Sequence, residues 1–120
     1  MGLWMPLSRA HGKTPREPWQ YGDMALKEVK KWINFRHRLV PYLYHAACQS
    51  HQSGIPMIRP LVMEYPKDPI AKIQNLSYML GDALLISPGF DRDEYELYLP
   101  EGRWQEMKNS MKKYCTCVSC

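Results

Sequence analysis

Apolar residues recur with a helical period in the first half of the chain. Between residues 23 and 52 they stand three, four or seven positions apart, at Leu26, Val29, Ile33, Val40, Leu43 and Ala47. This spacing predicts an amphipathic helix, which Asp23 can cap and whose apolar stripe is interrupted by Arg36. Pro41 lacks a backbone N–H, so we expect a kink or a break into two helices there. Gly54 is expected to end the helix.

In the second half the apolar residues come instead in short runs, separated by proline and aspartate. Runs of this length between turn-forming residues predict β-strands. Residues 70–76 lie between two of these runs and are predicted to form one or two helical turns. The predicted strands are Met57–Ile58, Leu61–Met63, Ala83–Ile86 and Tyr95–Leu99.

The first twelve residues contain an apolar segment that is followed by a polar cluster. Residues 1–12 are predicted to form a buried strand, and the prolines and glycine in residues 13–22 predict a loop after it. Because side chains alternate along a strand, Arg9 and His11 would face the same way. In an α/β barrel such a strand end can present both groups to a bound polar molecule, although a histidine near an arginine is more often a structural hydrogen-bonding pair. Trp19 is expected to pack against the loop, with a place at a pocket mouth as the alternative.

Length and charge narrow the function classes. A chain of 120 residues is one ordinary domain at most, whereas a complete eight-stranded α/β barrel needs about 250 residues. The net charge is +4, and the basic residues are scattered among apolar neighbours, which is typical of a solvated helix face and argues against nucleic-acid binding. No run of roughly 18 apolar residues is present, so no membrane span is predicted. We also expect no cofactor.

Three of the four cysteines close the chain, at Cys115, Cys117 and Cys120. Thiols at this spacing suit soft metals such as zinc or copper(I), but a structural site normally has four ligands. A tail produced by a truncated or shifted reading frame is an equal alternative, and disulfide bonds also stay open. Cys48 is expected to be a small apolar residue on a helix.

Five segments of the chain, in order, resemble segments of one enzyme family, glycoside hydrolase family 31, which contains α-glucosidases and α-xylosidases. Five ordered matches with similar spacing are far more specific than any one of them. Together they cover roughly residues 3 to 104. The segments are Pro6–Gly12 with Arg16–Trp19, Arg38–Tyr44, Gly54–Leu61, Leu80–Pro88 and Tyr98–Trp104.

The resemblance implies a fold of the class α/β plus β, namely the last strand and helix of a TIM (β/α)8 barrel followed by the first strands of a β-sandwich. The chain would then be a fragment of a larger fold. Residues 1–55 would form the C-terminal end of the catalytic barrel, residues 56–106 the start of the C-terminal β-sandwich domain, and residues 107–120 an atypical cysteine-containing tail. The unfinished sheets would expose edges, which predicts poor solubility or partial folding and would allow an oligomer to form through those edges.

The resemblance also implies a retaining α-glycosidase that hydrolyses α-glucosides or α-xylosides, with a carbohydrate as the partner. Two Asp carboxylates do this chemistry in the family, on earlier barrel strands that would lie outside this chain, so the chain alone is expected to be inactive. His11 corresponds to the family histidine that hydrogen-bonds sugar hydroxyl groups. Arg9 would support His11 or form a structural ion pair.

The remaining charged residues of interest are expected to be structural. Arg59 lies between an isoleucine and a proline in one of the family-like segments. Glu64, Asp68 and Asp82 lie in turn-like contexts that suit turn capping and ion pairs better than acid–base catalysis.

An alternative hypothesis is a stand-alone, catalytically inactive remnant of such an enzyme. It would be a thiol-rich metal-binding or interaction protein whose function Cys115, Cys117 and Cys120 provide. Its predicted signature is the release of zinc or copper(I) from these thiols on chelation.

Overall fold

The computed structural model describes residues 2–88, 97–107 and 114–119 of the chain. The chain divides into two compact units, Met1–Cys48 and Gln49–Cys120. The domain limits expected at residues 55/56 and 106/107 stay predictions.

The first unit is organised around helix α1, which runs from Gly22 to Arg38. Two short 3-10 helices precede it, at Gly2–Trp4 and Pro18–Tyr21. The prediction that Asp23 caps α1 is wrong. Tyr21 occupies the cap position and its side chain makes no capping hydrogen bond, whereas Asp23 lies inside the first turn, where a negative charge still suits the helix dipole.

The predicted break in the long helix is confirmed. Helix α1 ends at Arg38, and the N–H of Leu39 donates a hydrogen bond to the carbonyl oxygen of Arg36 at 2.9 Å. Helix α2 then runs from Val40 to Ser53, with Pro41 in its first turn. A proline is tolerated there because the first N–H groups of a helix have no partner within it.

Helix α2 ends where the sequence predicts, immediately before Gly54. Gly54 has a φ angle of +75°, and its N–H donates to the carbonyl oxygen of Ser50 at 2.9 Å. Cys48 lies on α2 and is half-buried, as expected for a small apolar residue. Within the described ranges, no helix combines the length and the apolar character that crossing a membrane would require.

The strand predicted for residues 1–12 is wrong for the part that the structure describes. Residues 2–4 form a 3-10 helix, and residues 8–11 have no regular structure. A strand would pair its backbone with a neighbouring strand, but here three carbonyl groups of this segment accept hydrogen bonds from Arg36. Pro6 in addition has no N–H for a ladder.

The second unit contains a five-stranded sheet in which all neighbours are antiparallel, in the order β1-β2-β3-β5-β4. Among the described strands, β1 and β4 are the edges, and each has three residues. The strands are β1 (Ile58–Pro60), β2 (Tyr78–Leu80), β3 (Leu84–Pro88), β4 (Trp104–Glu106) and β5 (Tyr114–Ser119).

Two of the predicted strands are confirmed and one is wrong. Met57–Ile58 and Ala83–Ile86 correspond to β1 and β3. Leu61–Met63 instead belongs to helix α3, Leu61–Glu64, which the Tyr65 N–H closes by donating to the carbonyl oxygen of Leu61 at 2.8 Å. Pro60 ends β1 and has no N–H.

Two other predictions for the second half of the chain fall on segments in which the structure has neither a helix nor a strand. The helical turns expected at residues 70–76 are wrong, because turns occupy 69–73. Asp68 Oδ1 accepts hydrogen bonds from the N–H groups of Ile70 and Ala71, at 2.8 and 3.3 Å, and so fixes a tight turn. Of the strand predicted at Tyr95–Leu99, residues 97–99 have no regular structure and the rest lies outside the described residues.

The cysteine-containing tail contributes a strand to this sheet. Strand β5 lies between β3 and β4, and its register places Cys115 opposite Ser87 and Cys117 opposite Leu85. Cys120 lies outside the described residues. The core beside these strands is a buried apolar cluster of Leu61, Ala71, Met79 and Leu85.

Candidate functional site

Arg36 holds the backbone that leads into the expected sugar-contacting residues. Its Nη1 donates to the carbonyl oxygens of Leu3 and Met5, at 2.7 and 2.6 Å. Its Nη2 donates to the carbonyl oxygen of Pro6 at 2.7 Å. A charged donor makes shorter and stronger hydrogen bonds than a neutral one, so residues 3–6 are fastened to helix α1.

An aromatic cluster supports the same attachment. Trp4 is buried, and its ring lies edge-on to those of Trp32 and Phe35, with 5.6 Å between the centroids in each pair. Edge-to-face contacts at this separation are favourable, beyond the apolar area that they bury. Trp32 and Phe35 both belong to α1, so the first residues of the chain and this helix form one packed piece.

His11 and Arg9 both lie in the exposed segment after this attachment. The alternation expected of a strand does not apply there, because residues 8–11 have no regular structure. Neither side chain makes a hydrogen bond with any described residue, and no ion pair within the described residues includes Arg9. Both groups are therefore available to a molecule in solvent.

The loop after His11 returns to α1 through the 3-10 helix at Pro18–Tyr21, which leads directly into α1 at Gly22. Arg16 folds back over Gly12, so that a Cβ atom at Gly12 would stand 2.8 Å from Arg16 Nε. Trp19 is 62% exposed. The packed position favoured from sequence is therefore wrong, and the exposed indole is compatible with the alternative, a place at the mouth of a pocket.

Arg59 has the structural role that the sequence predicts. It is buried, its Nε pairs with Glu64, and its Nη2 pairs with Asp82 Oδ1 at 2.8 Å. Its guanidinium also donates to the carbonyl oxygens of Pro56 and Gly81, at 3.0 and 3.2 Å. Burial alone would lower the pKa of Arg59, but the hydrogen bonds and charges of Asp82 and Glu64 outweigh it and raise the pKa.

Asp68 and Tyr98 meet beside a surface groove of about 470 Å³. The Tyr98 hydroxyl donates to Asp68 Oδ2, and this bond raises the pKa of Tyr98 to about 12 and lowers that of Asp68. Burial, followed by the charge of Glu64, raises the pKa of Tyr65. The groove is lined by Glu64, Tyr65, Pro66, Lys67, Asp68 and Glu101.

Three acidic residues of the second unit are thus engaged in structural contacts. Glu64 and Asp82 pair with Arg59, and Asp68 caps a turn, as the sequence predicts. Among the described residues, no group of three or more histidine, cysteine or acidic side chains is placed to hold a metal ion.

Sequence reasoning missed the role of Arg36. The available signal was a charge within an otherwise apolar helical stripe, which usually marks a residue with a specific polar partner. The partners themselves were not predictable, because the sequence predicted a strand for the segment that Arg36 binds.

The described structure has two parts, a helical piece with an exposed polar loop and an antiparallel sheet. Both parts match known domains of one family. Residues 1–46 match the glycosyl hydrolases family 31 TIM-barrel domain, and residues 54–118 match the glycosyl hydrolase family 31 C-terminal domain. The chain belongs to glycosyl hydrolase family 31.

Curated relatives agree with this assignment. The 1,6-alpha-glucosyltransferase of Sporosarcina globispora is 35% identical over 82% of this chain, and the alpha-xylosidase of Emericella nidulans is 35% identical over 94%. Lysosomal and neutral alpha-glucosidases also match. The chain spans only 8% of the length of the glucosyltransferase and 16% of that of the alpha-xylosidase.

Solved structures of the family resemble the fold. A dextranase of Flavobacterium johnsoniae, complexed with isomaltotriose, superposes with a TM-score of 0.88 at 31% identity. The match covers 98% of this chain and 17% of the dextranase chain. The end of the family's TIM barrel followed by its C-terminal domain is therefore the architecture to which this chain corresponds.

Proposed function

We propose that this chain is the part of a retaining α-glycosidase that carries a sugar-contacting loop of the catalytic barrel and the start of the following β-sandwich domain. The substrates would be α-glucosides or α-xylosides. The names of the relatives support this class, since they include alpha-glucosidases and an alpha-xylosidase. The dextranase that resembles the chain was solved with an isomaltotriose bound to it.

The observation that supports this function best is the exposed loop containing Arg9 and His11. One end of the loop follows the segment that Arg36 of α1 binds, and the other end leads into α1. The exposed His11 side chain nevertheless makes no hydrogen bond within the described residues. An imidazole can donate and accept hydrogen bonds, and a sugar hydroxyl group can do the same. His11 is the proposed sugar contact, and Arg9 is a supporting donor.

The catalytic carboxylates of this activity are proposed to lie outside the 120 residues. Retaining hydrolysis needs two carboxyl groups about 5 Å apart, and Glu64, Asp68 and Asp82 are engaged elsewhere. The chain alone should therefore give no turnover of chromogenic α-glucosides or α-xylosides above the buffer rate. Turnover that scales with the concentration of the purified chain would contradict this placement.

Sugar contact can be tested on the chain as it stands by recording imidazole NMR signals during a titration with isomaltotriose. The chain has four histidines, and His11→Gln assigns the signal of interest. We expect a saturable shift of the His11 signal alone. His51, exposed near the end of α2, is the matched control and should not respond. Equal shifts at both positions, or none at His11, would overturn the sugar contact.

A further inference from the structure

We propose that Arg36 is the positioning residue of the His11 loop, residues 7–17. The inference rests on the proposed function only in naming His11 as the sugar contact. Arg36 would touch no sugar itself. It would act by fixing the backbone from which the loop departs.

The partners of Arg36 point to this role. Every hydrogen bond that its guanidinium makes within the described residues goes to a backbone carbonyl of residues 3–6. The ion pairs of the described part of the chain do not include it. A half-buried charge on an apolar helix stripe needs compensation, and here the compensation comes from a single segment. The guanidinium of Arg36 therefore holds residues 3–6 in place, and the carbonyl groups of these residues hold the guanidinium.

The position of that segment determines where His11 can lie. Pro6, which accepts from Arg36 Nη2, precedes His11 by five residues, a stretch that can reach at most about 17 Å. The other end of the loop leads through the 3-10 helix at Pro18–Tyr21 directly into α1, which begins at Gly22. With both ends attached to one helix, the loop has fewer conformations to lose when a ligand binds, which favours binding.

Arginine suits this task better than lysine. Two of its nitrogens, held in one plane, reach the three carbonyl groups at 2.6 to 2.7 Å. An ammonium group presents all its donors from one atom and cannot reproduce this fork. Arg36→Lys therefore keeps the positive charge but loses the planar fork of donors. This substitution tests whether the hydrogen-bond geometry, and not the charge alone, positions the loop.

The matched control is Arg38→Lys. Arg38 lies two residues later on the same helix, is exposed, and places its guanidinium carbon 5.4 Å from the centroid of the Phe35 ring. Within the described residues, no hydrogen bond links Arg38 to residues 3–6, whose side-chain donors all come from Arg36. Both substitutions preserve the charge and the trypsin site.

The first experiment is limited trypsin digestion of the full chain without sugar, followed at Arg9 and Lys13 within the loop. Loss of one charge-assisted hydrogen bond corresponds to about a tenfold larger population of chains in which the loop has come away from α1. We expect Arg36→Lys to be cleaved in the loop at least about tenfold faster than the parent chain, and Arg38→Lys at the parent rate. Equal rates for the two variants would overturn the proposal.

A second measurement needs no variant and so does not depend on how Arg36→Lys folds. In a chain labelled with ¹⁵N-arginine, the Nη hydrogens of Arg36 should give separate, slowly exchanging signals, because three carbonyl groups hold them. The Nη hydrogens of Arg38 should instead give one averaged signal. Averaged signals for both residues would contradict the proposal.

The sugar titration separates this proposal from the proposed function. If His11 responds to isomaltotriose, Arg36→Lys should raise the Kd about tenfold and change the His11 signal of the free chain, while Arg38→Lys changes neither. If His11 does not respond in the parent chain, the sugar contact fails. The digestion and the arginine signals then still decide whether Arg36 positions the loop.

Discussion

At the scale of single residues, Arg59 links three parts of the second unit. Its guanidinium connects the start of β1, through Pro56, to α3 through Glu64 and to the turn before β3 through Gly81 and Asp82. Its pKa is raised above the ordinary value, so the guanidinium stays charged. Removing it would leave the buried carbonyl oxygen of Gly81 and the half-buried carboxylate of Glu64 without this partner.

We therefore expect Arg59→Ala to lower the free energy of unfolding by about 3 kcal/mol, since it leaves the buried carbonyl oxygen of Gly81 without its donor, while Glu64 and Asp82 stay partly exposed to water. Arg59→Lys should cost about 2 kcal/mol, because an ammonium group cannot reach all four partners. Urea denaturation of the full chain measures both. Lys72→Ala, at an exposed position, is the control and should change stability by less than about 0.5 kcal/mol. Similar midpoints for all three variants would contradict the structural role.

The hydroxyl of Tyr98 offers a prediction about pH. Its bond to Asp68 raises its pKa from 10.0 to about 12, so Asp68→Asn should return the ionisation of Tyr98 towards pH 10. Tyrosinate absorbance during an alkaline titration reports this change, and subtracting the titration of Tyr98→Phe isolates Tyr98. Glu101→Gln, in the same groove, is the matched control. An unchanged Tyr98 titration in Asp68→Asn would show that the bond does not form in solution.

The same bond has a defined effect on stability. The folded chain holds the Tyr98 proton more tightly than the unfolded chain, so this contribution is complete below about pH 10 and is lost as the pH rises through about 12. The folded chain also favours ionised Asp68, whose pKa lies below 3.8. That contribution is present above this value and is lost as the pH falls through the lowered pKa.

At the scale of the elements, Gly54 controls how helix α2 ends. Its φ of +75° is costly for a residue with a Cβ atom, although no atom lies within 4 Å of where that Cβ would stand. Gly54→Ala should therefore cost about 1 kcal/mol through the backbone alone. Gly54→Asn should cost less, because asparagine tolerates this conformation. Thermal unfolding of the two variants tests the order, and a stability equal to the parent in Gly54→Ala would contradict it.

The elements that sequence predicted correctly are those set by local signals. The break near Pro41 and the end at Gly54 follow from the backbone chemistry of single residues. Leu61–Met63 was assigned to a strand because a short apolar run fits a strand or a single helical turn equally well. Strand β2 lacks the alternation that identifies a half-buried strand, since Tyr78, Met79 and Leu80 are all buried.

At the scale of the whole molecule, the residues of the proposed sugar contact could be named from the sequence, whereas the geometry around them could not. The positions of Arg9 and His11 followed from a resemblance, and the sequence offered no way to see that Arg36 would fix the segment before them. Long-range partners of this kind depend on tertiary packing, which periodicity does not record. The same holds for β5, whose role depends on strands far away in the sequence.

Strand β5 also provides the prediction that separates a structural tail from a functional one. It is the partner of both β3 and β4 in the described sheet, so deleting residues 108–120 should leave β4 unpaired and open the edge of β3, where Leu84, Leu85 and Ile86 are buried. We expect the truncated chain to lose its cooperative urea transition and to aggregate. Replacing the three terminal cysteines by serine keeps the backbone ladder and should retain that transition. If truncation left the transition unchanged while the thiol variant lost a bound zinc ion, the tail would belong to a metal-binding protein instead.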